Sequence, residues 1–438
     1  MPDKFKEEET HIIDESPEIS VGESTAWVNN ITSAFPAFEN KNYRLYFGGQ
    51  LISLTGTWLQ VVAQGWLVLK LTNSAFLIGL ITALSTLPSL LFTLYGGVIV
   101  DRFEKKKILI FTQSAAMVLA FILGALTVTH VIQVWQIGVL AFLLGAVNAI
   151  DAPARQAFVP EMVNREQLAS AIALNSAIFN TARVAGPGVA GLLIALVGTG
   201  GAFILNGLSY IAVLLALLAM QVKSTHSGKK SETLVAIREG FKYSFSHPVI
   251  RILIIFTAVS SVFGWSYTAM MPVIAQNEFH LGAAGLGYLY AATGAGALLA
   301  TFLIALFSKK VSPPVYIVGG SVLFAVSIIL FSFTKSLHLA MPLLFLSGLG
   351  LLSQFAMMNT RIQSLVKSEF RGRVMSIYVF MFVGLSPLGS FEAGWVSERF
   401  GTGVSMRIGA IIVLLFSLYV FTQQKKITAD YKEYAGKE

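Results

Sequence analysis

The chain has 438 residues, 55% of them hydrophobic and only 12% Asp, Glu, Lys or Arg, with a formal net charge of +8. About a quarter of a soluble domain is charged, so the composition excludes an ordinary water-soluble protein and leaves length for about a dozen helical spans of ~20 apolar residues. The absence of cysteine excludes a disulfide scaffold, a thiolate metal site, a cysteine nucleophile and an iron–sulfur centre, and six scattered histidines leave little for a metal site; no metal and no cofactor are expected.

Residues 1–40 are polar and acidic, with Glu7 to Glu9 followed by Asp14, Glu15, Glu18 and Glu23, and read as a solvated tail rather than a signal peptide. Trp27 to Phe38 suits either a short helix on the headgroups or a plain linker. Twelve apolar blocks follow, at 44–69, 75–100, 108–129, 134–154, 168–197, 201–221, 250–274, 284–307, 315–334, 338–362, 373–397 and 403–422, each long enough to span. With a cytoplasmic amino terminus, the inner loops carry eighteen Lys and Arg and the outer loops four, which predicts both termini inside. The basic residues lie between apolar blocks rather than on a soluble face, so no nucleic-acid partner is expected.

The longest loop, 222–249, divides the blocks six and six. Its Leu234, Ile237, Phe241 and Phe245 are spaced for an amphipathic helix along the inner membrane surface. The expected organisation is a tail (1–40), a six-helix bundle (41–221), the central loop, a second bundle (250–424) and a tail (425–438). A shift of 206 residues places Asn148 on Gln354, Arg155 on Arg361 and Arg165 on Arg371, a weak repeat of the kind found in six-plus-six transporters.

In the first span Gln50, Ser53, Thr57, Gln60 and Gln64 share one helical stripe. Two readings are open: the wall of a water-filled cavity, or hydrogen bonding between helices. Thr257, Ser261, Gly264, Thr268 and Met271 make a similar stripe in the seventh span. Asn148, Gln354 and Met358 join Gln50, Thr57, Gln60, Gln64, Thr257, Ser261 and Thr268 as cavity or substrate candidates. Charges inside spans are costly and informative. Arg183 lies near the middle of the fifth block, Glu392 in the outer half of the eleventh, and Asp151 with Arg155 near the inner end of the fourth. An unpaired Arg at the midplane costs at least ~2.5 kcal/mol, so Arg183 should have a partner, either Glu392, a proton-linked acid or an anionic substrate; Asp151 and Glu392 are the carboxylates available for proton coupling.

The second span ends in GGVIVDRFEKKKI. This segment resembles the inner-loop motif of the major facilitator superfamily, with Gly97, Asp101, Arg102, Lys105 and Lys106 matching and Glu104 standing where the family usually has a second glycine. The resemblance implies a latch between the two halves on the inner side, with Asp151 completing a charge relay beside Arg155. ARVAGPGVAG in the fifth block, with Gly186, Pro187, Gly188 and Gly191, looks like the antiporter motif of the same superfamily, a bend with small neighbours. Asn42 to Thr72, Asp151 to Val163 and Ala173 to Asn175 resemble the efflux branch that includes enterobactin exporters and macrolide efflux proteins. That resemblance implies an all-α fold of twelve transmembrane helices in two six-helix bundles, and proton-driven export across a bacterial cytoplasmic membrane. The plentiful Phe, Met and Trp, among them Trp66, Phe263, Trp265, Met270, Met271, Met357 and Met358, suit a small amphipathic substrate. A monomer in contact with lipid is expected. An uptake symporter for a small polar solute and a non-transporting sensor remain as alternatives. SGKKS at Ser227 to Ser231 lacks the upstream glycine of a P-loop, and no His, Ser and Asp cluster marks an enzyme.

Overall fold

A computed structural model of the chain describes residues 35–222, 233–308 and 310–423. Their regular structure is helical: α1 (Lys41–Thr72), α2 (Ala75–Arg102), α3 (Lys105–Val128), α4 (Val134–Met162), α5 and α6 (together Arg165–Ala219), α7 (Pro248–Glu278), α8 (Ala283–Phe307), α9 (Val315–Phe331), α10 (Leu337–Leu365), α11 (Arg371–Phe400) and α12 (Thr402–Thr422). A span in lipid must satisfy its own backbone, and the helix does so. Connections are correspondingly short. The Asn40 side chain accepts from the N–H groups of Asn42 and Tyr43 to start α1, and Asn73, in a left-handed conformation, ends it. Gly198, at φ +71°, breaks Arg165–Ala219 into α5 (165–197) and α6 (199–219), a backbone that glycine adopts without a side-chain penalty.

Six spans precede the central segment and six follow it. The 206-residue repeat holds in the helix starts: it carries Arg165 to Arg371, where α5 and α11 begin, and Lys41 to 247, one residue before α7. The central segment contains a helix, Thr233–Ser246. It docks on the beginning of α11 through the Glu239–Arg373 ion pair at 2.6 Å and the Tyr243 ring stacked on Phe370 at 4.5 Å; the side chains of Leu234 and Ile237 lie outside the described part. Residues 27–34 lie outside it as well, and Pro36–Glu39 forms a 3-10 turn whose Phe38 ring packs on Phe47 at 5.0 Å.

The two bundles meet on two seams. On one, Gly188 and Gly191 of α5 lie against Ala291 and Gly287 of α8; on the other, Gly79 of α2 lies against the backbone of Ser390 and Gly394 of α11. Small residues at such crossings let backbones approach closely. All these positions fall in the halves of the helices remote from the start of α1 and the end of α12, so the bundles are closed at that far face. Toward the opposite, terminal face, seven of the ten residues 172–181 of α5 are exposed. That is more than one lipid-facing stripe supplies, and one side of α5 therefore borders an open space between the bundles.

Candidate functional site

Arg183 sits at the apex of that space. It lies three residues after Asn180 on α5, the spacing that stacks two side chains on one helical face, and its Nη2 donates to Asn180 Oδ1 at 3.2 Å. From the other bundle come two rings: the guanidinium carbon is 5.7 Å from the Trp265 centroid and 6.0 Å from that of Phe382, within cation–π range. The Nε is buried and has no hydrogen-bond partner. Among the described residues Arg183 makes no ion pair, and Glu392, half-buried farther along α11, makes none either. Of the three partners open to Arg183 on sequence, Glu392 is not paired with it in this conformation, where Arg183 reaches aromatic faces.

Both rings stand at interruptions of their helices. Residues Ser260–Gly264 of α7 and Phe380–Gly384 of α11 are π-turns, with Trp265 directly after the first and Phe382 within the second. A π-turn inserts a residue and disturbs the regular hydrogen-bond ladder, and such bulges are frequent at functional sites. Here Ser261 Oγ donates across to the Phe382 carbonyl at 2.5 Å, and Gln354 Nε2 donates to Ser260 Oγ at 2.6 Å. Phe355 completes an aromatic cluster, 4.7 Å from Phe382 and 6.3 Å from Trp265. Asn180, Phe355 and Phe382 were not legible as site residues. The i, i+3 spacing from Arg183 is the only sequence signal that points to Asn180, and none points to Phe382, since a π-turn shifts the register that periodicity relies on.

Two members of the polar stripe of α1, Gln50 and Gln60, bond between helices. Gln60 accepts from Asn206 Nδ2 of α6 at 2.5 Å and is 4% exposed, and Gly56 lies against Asn206 and Ser209. Gln50 is buried too, bound to Arg155. Gln64 is buried, Thr57 donates to the Ser53 carbonyl at 3.0 Å, and Asn148 is half-buried on α4. In the second bundle Gln354, Met358 and Thr257 are fully buried, with Thr257 Oγ1 3.9 Å from Met358 Sδ, and Thr268 Oγ1 donates to the Trp265 carbonyl at 2.8 Å. Gln50, Gln60, Thr257 and Gln354 thus contact partners on other helices, whereas Thr57 and Thr268 bond carbonyls of their own helices and stay half-exposed.

Asp151 is the hub of a second buried cluster. Its carboxylate pairs with Arg155 one turn along α4 and accepts from Thr112 Oγ1 at 2.7 Å and Gln113 Nε2 at 2.8 Å, both on α3, while Arg155 Nη1 donates to Gln50 Oε1 at 2.9 Å. These partners all belong to the first bundle. The basic residues beside it also have contacts in the first bundle: Lys105 pairs with Glu161 at 2.8 Å and Lys106 donates to the Met220 carbonyl at 2.7 Å. Gly97 and Asp101 fall on the helical backbone of α2, but their side-chain surroundings lie outside the described part; Arg102 is exposed. Glu104 takes an ordinary extended conformation, φ −61° and ψ 119°, so this turn needs no glycine there. In the fifth block, Gly186 lies against the Trp58 ring beside the buried Pro187.

At the far face Glu398, near the end of α11, reaches the other bundle: its Oε2 accepts from Ser74 Oγ and from the Phe76 N–H, both at 3.0 Å. It therefore caps the amino terminus of α2, where the helix dipole favours an anion. The contact is solvent-exposed, which limits its worth to ~0.5–1 kcal/mol. Glu398→Gln is expected to open the far face two- to fivefold more often, read as the labelling rate of a cysteine at the seam residue Ser390 by an impermeant maleimide. An unchanged rate would remove Glu398 from the gate.

The sequence model of the family described as transmembrane secretion effector matches residues 32–434. The staphyloferrin A transporter of Staphylococcus aureus is 24% identical over 393 residues, 89% of this chain and 98% of its own. The multidrug efflux pump Tap of Mycolicibacterium fortuitum is 25% identical, covering 83% of this chain and 91% of its own. Among solved structures, a bacterial homolog of the human lysosomal transporter Spinster superposes with a TM-score of 0.70 at 13% identity, over 89% of this chain and 98% of that one; the nucleoside transporter NupG gives 0.70 at 12%, over 87% and 99%. The two-bundle architecture is thus the major facilitator fold. The chain belongs to the transmembrane secretion effector family of the major facilitator superfamily, and it is a membrane transporter.

Proposed function

We propose that this transporter exports a small amphipathic molecule, drug- or siderophore-like, from the cytoplasm by proton-coupled alternating access. The observation that carries the reading is the space between the bundles, sealed by glycine seams at one face, open toward the other, and ending at Arg183. Rocking of two bundles about such a site is how inverted- and parallel-repeat transporters alternate. The basic excess of the inner loops assigns the terminal face to the cytoplasm, so the conformation described here is the loading state of an exporter. The names of the relatives, a siderophore transporter and a drug efflux pump, support the cargo class.

Glu392 is the stronger coupling carboxylate on geometry. It is half-buried and without an ion-pair partner among the described residues, so protonation there costs no existing pair, whereas Asp151 is locked to Arg155. We place the acidic tail, the central loop and both termini in the cytoplasm, and take the working unit as a monomer in lipid.

Inverted membrane vesicles test the reading. An inside-acid pH gradient should drive accumulation of a transported dye or siderophore, and a protonophore should collapse it. Accumulation only in right-side-out vesicles would favour the uptake symporter, and binding without flux in either orientation the sensor.

A further inference from the structure

The surroundings of Arg183 identify the charge its cargo carries. A guanidinium offers five N–H donors. Here one of them meets Asn180 Oδ1, the Nε is buried without a partner, and no carboxylate among the described residues pairs with the group. The two aromatic faces offset part of the charge's desolvation but accept no hydrogen bond in the plane of the guanidinium. Arg183 is half-buried, and a donor such as its Nε that is buried without an acceptor is costly. Both rings are held by a built frame rather than by chance packing: the π-turns, the Ser261–Phe382 hydrogen bond and the tilted and edge-on contacts with Phe355 fix them from the second bundle.

We infer that the site binds an organic anion with a flat apolar body: a carboxylate or a similarly planar oxyanion engages the free edge of Arg183, and an aromatic ring lies against Trp265 and Phe382. A carboxylate matches the guanidinium fork in two parallel hydrogen bonds. A lipophilic cation of the same shape meets like charge at the apex and is rejected. This assignment rests on the exporter reading for its cargo, but it concerns equilibrium binding and not direction or coupling.

Three probes with one ring system separate the possibilities: 2-naphthoate, 2-naphthamide and 2-naphthylmethylammonium, measured by equilibrium dialysis against the purified full chain in nanodiscs, with empty nanodiscs as the blank. Wild type is expected to bind naphthoate at least tenfold more tightly than naphthamide, with no saturable binding of the ammonium. Arg183→Gln should remove that preference and leave naphthamide unchanged, while Arg183→Lys recovers only part of it because an ammonium lacks the planar fork. Trp265→Leu should weaken naphthoate and naphthamide together, which tests the ring contact while the guanidinium itself stays in place. If Arg183→Gln does not fold, the wild-type preference and Trp265→Leu still decide. Equal affinity for acid and amide in wild type, a preference that survives Arg183→Gln, tightest binding of the ammonium, or no saturable binding of any probe would each overturn the assignment. Binding with the predicted preference but no proton-driven flux would instead count against the exporter reading alone.

Discussion

Gly191→Leu is expected to stop transport while leaving the protein inserted and abundant. A Cβ at this position meets the backbone of Gly287 and the carbonyl of Ala283, and backbone cannot step aside as a side chain can. Overpacking of a tight core costs ~1–3 kcal/mol, and a leucine against backbone on the α5–α8 seam belongs at the upper end or beyond. The state closed at the far face should therefore lose about 100-fold or more in population. The conformation with the far face open has no such contact, so folding and insertion survive. Gly48→Ala is the matched control, because a Cβ there meets nothing within 4 Å. The measurement is vesicle flux beside membrane abundance. Wild-type flux in Gly191→Leu would show that this seam does not close during the cycle.

Asp151→Asn is expected to destabilise the first bundle by ~3–5 kcal/mol, the usual cost of removing one partner from a buried ion pair. Asp151 is 1% exposed and serves Arg155, Thr112 and Gln113 at once. The amide oxygen of an asparagine can still accept from Thr112 and Gln113, which share Oδ1, but the amide nitrogen then faces Arg155 and leaves it with Gln50 alone. Removing both charges, as in Asp151→Asn with Arg155→Gln, should restore part of the loss, since neighbours in one network couple strongly. Thermal unfolding in detergent reads both. A single mutant as stable as wild type would mean that Asp151 contributes through the transport cycle and not through the fold.

Much of the architecture was legible in the sequence because lipid imposes a simple rule: each span must be a long apolar helix, and hydropathy reports that directly. Arg183 stood out for the same reason, as a charge where charges are rare. Its partners did not. Trp265 and Phe382 come from helices that enter the site through π-turns, and no periodicity argument anticipates those. The stripe of Gln50, Gln60 and Gln64 shows the converse limit. Spacing places polar groups on one face, but whether that face meets water or another helix depends on residues such as Asn206, 146 positions away from Gln60. Glu398 was illegible because a carboxylate at the end of a span reads as an ordinary surface charge until the fold brings it to Ser74.

The central claim is that the two bundles rock about the Arg183 level, so that one face opens as the other closes. The chain has no cysteine, so spin labels can be placed in pairs without background. One pair, at exposed Val131 and Lys335, spans the far face, and the other, at exposed Glu166 and Lys367, spans the terminal face. Pulsed distance measurements in nanodiscs, on wild type and on Glu398→Gln across a range of pH, should show the longer Val131–Lys335 distance and the shorter Glu166–Lys367 distance growing in as a single population, in equal proportion under every condition. Far-face opening without terminal-face closing, or two distance distributions that never change, would contradict the account.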